Sequence, residues 1–146
     1  MRNYGKKVVM FAVLVLGVFT LLRAGFTLEP SAQPGNSLKY GKAGTLNYSL
    51  GVTEEEVQRL ADYLAKLEPS QGESPVFKLA KEGDVYQVSS VIDKEELEKQ
   101  VPPELMGPVE AAGLLAEDVS QGVFNGSKVE WHLCDKDFNT LRVANY

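Results

Sequence analysis

Residues 8–22 (VVMFAVLVLGVFTLL) form an unbroken run of fifteen uncharged, largely apolar residues, preceded by Arg2, Lys6 and Lys7. No other feature restricts the chain as much, because a water-soluble domain gains nothing from such a run at its end. A helix that crosses a bilayer needs about 20 apolar residues at about 1.5 Å each, and a secretory h-region needs fewer. If Arg23 snorkels and Ala24, Gly25 and Phe26 are counted, the run reaches the lower limit for spanning. The nearest small-residue cleavage pattern, Leu22-Arg23-Ala24, has a large residue at −3 and a charge at −2. Residues 1–26 therefore read first as an uncleaved single-pass anchor, with a cleaved signal peptide as the alternative and a buried helix behind both. Three basic residues precede the span and Arg23 alone follows it, so the amino end is expected to stay in the cytoplasm. The rest of the chain is then expected outside the cytoplasm, attached to the cell membrane or, after cleavage, secreted or periplasmic.

From Thr27 onward there are 11 basic and 20 acidic residues. Phosphate recognition needs a basic face, so this acidity disfavours nucleic acid and docking on anionic lipid. One cysteine in 146 residues excludes an internal disulfide framework and a Cys-only zinc site, and one histidine excludes two-His metal motifs.

Residues 27–44 are rich in Pro, Ser, Gln, Gly and Asn and read as a flexible linker. An α+β domain is expected over residues 45–146. Leu46, Tyr48 and Leu50 alternate as in a half-buried strand. Thr53 and Glu56 are spaced as a capping box, followed by Val57, Leu60, Ala61, Leu64 and Leu67 on one helical face. Two strands over residues 76–81 and 85–92 flank Glu82-Gly83-Asp84 as a hairpin, and Asp93 with Glu96 offers a second capping box before Pro102-Pro103. Leu105, Val109, Ala112, Ala116, Val119 and Val123 predict a second amphipathic helix starting near Pro108 and closing around Gly122. Strands over residues 128–134 and 140–144 complete the order β-α-β-β-α-β with one strand more. This is the order of a ferredoxin-like sandwich, two helices on one face of a mostly antiparallel sheet.

On the strand over residues 128–134, Val129, Trp131 and Leu133 face one way and Glu130, His132 and Cys134 the other. Cys134 with His132, the ring oriented by Glu130 or Asp135, is the one arrangement with catalytic potential, as a thiol-dependent enzyme or redox protein. The plainer reading, which we favour at this point, is a polar strand face with a gap-filling cysteine, since i,i+2 spacing keeps thiol and imidazole apart. One strand cannot wrap a zinc ion, and Asp135, Asp137 and Asn139 start a calcium-loop pattern whose glycine position holds Thr140. No cofactor and no metal is expected.

The segments VTEEEVQRLADYL, EGDVYQV and VFNGSKVEWHLCD, with the closing TLRV, resemble a family of uncharacterised bacterial domains often carried behind a membrane anchor. The similarity runs from Leu46 to Val143, with His132-Leu133-Cys134-Asp135 as its most specific part and the Pro-rich residues 101–108 as a departure. The resemblance implies an exported α+β module and supplies no catalytic residue. The expected function is a membrane-tethered, non-catalytic module that binds a protein of the cell envelope through a sheet face or edge strand.

Overall fold

The structure, a computed structural model, describes residues 36–67 and 75–146. Among the described residues the chain runs β1 (Asn36–Tyr40), β2 (Gly44–Tyr48), α1 (Glu54–Leu67), β3 (Val76–Glu82), β4 (Val85–Val91), α2 (Lys94–Glu98), α3 (Pro108–Gly122), β5 (Val129–Cys134) and β6 (Thr140–Asn145). The six strands form one mixed sheet in chain order, β1-β2-β3-β4-β5-β6. The pairs β1–β2, β3–β4 and β5–β6 are antiparallel; β2–β3 and β4–β5 are parallel.

Three expectations about the strands need correction. The sheet order is not ferredoxin-like: a split β-α-β unit inserts a strand between its parallel partners, whereas Thr45–Tyr48 here pairs directly with Val76–Leu79, and Tyr86–Val91 with Val129–Cys134. Alternation reveals which face a strand buries and is silent on its lateral neighbour. The second half of the expected linker is β1, whose polar composition suits an edge strand with exposed Asn36, Ser37 and Lys39. Third, β2 stops at Tyr48, leaving Leu50 88% exposed instead of on the buried face. Residues 1–26, with the expected anchor, lie outside the described residues. No helix among the described residues is long and apolar enough to cross a membrane.

The helices form where local chemistry starts and stops them. At α1 the capping box is reciprocal: the Glu56 amide donates to Thr53 Oγ1 at 3.3 Å and the Thr53 amide to Glu56 Oε2 at 2.8 Å. Its five expected core residues are all buried. Helix α3 begins at Pro108, where a missing N–H costs nothing, and ends at Gly122. Leu105, expected on its apolar face, precedes the helix and is 59% exposed. The box at α2 is half made, because Asp93 caps the Glu95 amide while Glu96 pairs with Lys99.

Both long helices lie on one face of the sheet. The burial pattern shows it: the residues that the register brings to one face of β2 to β5 are the buried ones, and they pack with the apolar faces of both helices. Leu46, Phe77, Ser90 and Leu133 form one continuous buried row across β2 to β5. Trp131 sits at the centre, edge-on to Phe77 at 6.0 Å, with its indole N–H donating to Ser90 Oγ at 2.9 Å. Gly83, at φ 59°, makes the first position of the two-residue β3–β4 turn, a conformation that favours glycine.

The buried Glu56 carboxylate joins these layers. It accepts from Lys81 Nζ at 3.0 Å and from the Tyr86 hydroxyl, while Tyr86 stacks on Phe124 at 3.8 Å. Burial alone would push the carboxyl up, but hydrogen bonds from Tyr86, Thr53 and Lys81 outweigh it and hold Glu56 at about 2, against 4.5. A carboxyl depressed in the folded state adds stability above its unfolded value and loses it on acidification, here between 4.5 and about 2. Denaturant unfolding should show E56Q weaker than the parent by roughly 2 kcal/mol at neutral pH. That gap should narrow as the pH is taken below 4.5; an unchanged gap in acid would remove the carboxylate from this role.

Candidate functional site

The face of the sheet opposite the helices carries the polar residues singled out in the sequence. Cross-strand register places Lys78 beside Ser89 and Ser89 beside His132, and sets Gln87 beside Glu130. Strand β5 thus brings Glu130, His132 and Cys134 to the uncovered side, as alternation requires, while Val129, Trp131 and Leu133 are buried under the helices.

Glu130 and His132 do meet. The His132 Nε2 lies 3.2 Å from Glu130 Oε2, and Nδ1 lies 3.1 Å from Thr140 Oγ1. With Glu130 as a carboxylate, which only accepts, Nε2 carries the proton and Nδ1 accepts from the threonine hydroxyl. Gln87 Nε2 stands 3.4 Å from Glu130 Oε2 on the other side, and 3.4 Å from Glu82 Oε2.

Cys134 and His132 do not touch through their side chains. The thiol donates to the His132 carbonyl oxygen at 3.7 Å, and Thr140 Oγ1 lies 3.9 Å from Sγ. A register shift at Leu133/Cys134 brings Thr140 opposite Cys134, so one hydroxyl stands between thiol and imidazole. Burial pushes the Cys134 thiol up, more than the Thr140 and Ser89 hydroxyls draw it down. At neutral pH the sulfur therefore stays protonated, the reverse of what a nucleophile needs.

Asp135 orients no ring. Its Oδ1 accepts the amides of Asp137 and Asn139, each at 2.9 Å, and its Oδ2 accepts Asn139 Nδ2 at 3.0 Å. The Asn139 contacts pull the Asp135 carboxyl down. These bonds hold a tight loop that carries Phe138 at φ 63°, a left-handed conformation uncommon for a bulky residue. Lys78 Nζ lies 4.1 Å from the Phe138 ring centroid, so the β5–β6 loop reaches back to β3 across the open face. Among the described residues no group of three or more His, Cys, Asp or Glu side chains is placed to hold a metal ion.

Sequence reasoning missed Thr140, Phe138, Lys78, Gln87 and Ser89. The last three were accessible in principle, since they alternate with Phe77, Leu79, Tyr86 and Val88. Thr140 depends on the bulge and Phe138 on a loop conformation, and neither has a sequence signal.

Fold and site together define a two-layer α+β domain whose sheet, among the described residues, is covered by helices on one side only. The chain belongs to the AF_1994_N family, described as a family N-terminal domain, whose sequence model matches residues 38–145. The match starts inside β1, so that strand belongs to the domain. No curated protein and no solved structure matches the chain.

The thiol environment has a direct chemical readout. Alkylation of the native chain at neutral pH should run several-fold slower than of the denatured chain, because burial both holds the Cys134 thiol protonated and shields it. A native rate equal to or above the denatured one would restore the activated cysteine.

Proposed function

We propose that the domain is a non-catalytic, protein-binding module, held outside the cytoplasm by the apolar segment at residues 8–22 and engaging a cell-envelope protein through its uncovered sheet face. The observation that carries this reading is that, among the described residues, the six-stranded sheet has helices on only one side. The other side mixes polar groups (Gln87, Ser89, Glu130, His132) with Val76 and Val143, each 40% exposed. A broad surface that mixes polar, charged and apolar side chains suits a protein partner. The raised thiol of Cys134 weighs against catalysis, as does a histidine whose two ring nitrogens are both engaged. The alternative, a thiol-dependent enzyme using Cys134 with His132, draws on the Thr140 hydroxyl between them and requires that thiol to ionise.

Site-specific photo-crosslinking in intact cells tests the module reading. A photoreactive residue at Gln87 or Ser89 should give a discrete adduct of higher mass, and one at Glu117, on the exposed side of α3, should not. Equal products from both sides, or none from the sheet, would overturn it.

A further inference from the structure

Given the tether proposed above, we infer that the domain stands on the membrane with one defined end down, the end that carries Leu50, and that Leu50 contacts the lipid. Asn36, the first residue of β1, pairs with Tyr48, the last residue of β2. The preceding chain therefore joins the sheet at the same end as the β2–α1 loop. The amide of Ser49 donates to the Leu79 carbonyl, which sets this loop beside the C-terminal end of β3 and its turn at Gly83. Tyr146 lies there too, its amide donating to Val129 O at the start of β5.

Nine residues, 27–35, separate Phe26 from Asn36. Fully extended they reach about 30 Å, so this end cannot rise much further than that from a bilayer holding residues 8–26. The far end, with the Asp135–Asn139 loop and the segment before α3, is about another 20 Å away along seven-residue strands. Each end presents an exposed leucine outside regular structure: Leu50 at the tethered end, 88% exposed, and Leu105 at the far end, 59% exposed. Leu50 has almost no intramolecular burial to lose on entering the interface, where apolar area leaves water. The exposed acidic residues at this end, Glu54, Glu55, Glu82 and Asp84, outnumber its exposed Lys128. A zwitterionic surface is thus the lipid this end fits, and an anionic one would repel it.

The test uses the full chain in phosphatidylcholine vesicles. An environment-sensitive nitrobenzoxadiazole label is placed at Leu50→Cys or Leu105→Cys in a Cys134→Ala background. A blue shift and brightening at position 50, absent at position 105, is the expected result. Vesicles containing phosphatidylserine should reduce the change at 50. Hydrogen exchange on the unsubstituted chain provides the check that does not depend on Cys134→Ala folding: amides of residues 50–53 should slow in vesicles relative to detergent, and those of residues 104–107 should not. Chain that floats with vesicles while both positions stay in water, or while position 105 shifts instead, overturns the orientation and leaves the tether standing. Chain that does not float overturns the tether and the orientation with it.

Discussion

Glu56 is the point on which the rest of the fold turns. One carboxylate caps the start of α1 through the Thr53 amide, accepts Lys81 from β3, and accepts the hydroxyl of Tyr86 from β4. A buried carboxylate is stable only when its lone pairs are satisfied, and here donors from three separate segments satisfy them. Tyr86 passes the constraint on by stacking against Phe124, which follows α3, so the same cluster reaches the second crossover.

Both long helices pack on the face that buries Leu46, Phe77, Val88 and Trp131, and among the described residues the other face carries no helix. The proposed binding role rests on that asymmetry. The polar residues of β5 lie on the uncovered side together with those of β4, and their hydrogen bonds run laterally within the sheet surface. Such a network orders the side chains of that surface. It does not activate Cys134, because the effect of burial on the thiol exceeds that of the hydroxyls around it.

Much of the fold was legible in the residues. The capping box at Thr53 and Glu56, the helical spacing from Val57 to Leu67, and Pro108 with Gly122 at the ends of α3 each carry a local physical signal, and each appears where expected. The division of β5 into a buried apolar row and an open polar row was equally plain. Strand β1 was hidden, because an edge strand with exposed Asn36, Ser37 and Lys39 has the composition of a linker and gains its stability from pairing with β2. Of the site, Glu130 and His132 could be placed together from their spacing. Thr140 could not, since a one-residue shift in register decides what stands opposite Cys134.

The sequence by itself determined the helices, the buried faces of the strands and the acidity of the domain, all of which follow from interactions among residues close in the chain or from simple composition. Only the tertiary structure decided the lateral order of the strands, the addition of β1, the threonine between thiol and imidazole, and the end of the sheet at which Leu50 and the incoming chain lie together. These depend on backbone pairing between distant segments. Hydrogen bonds between main-chain amides and carbonyls carry no side-chain signature, so the same alternating strands fit more than one order until a whole sheet has to bury one face under two helices.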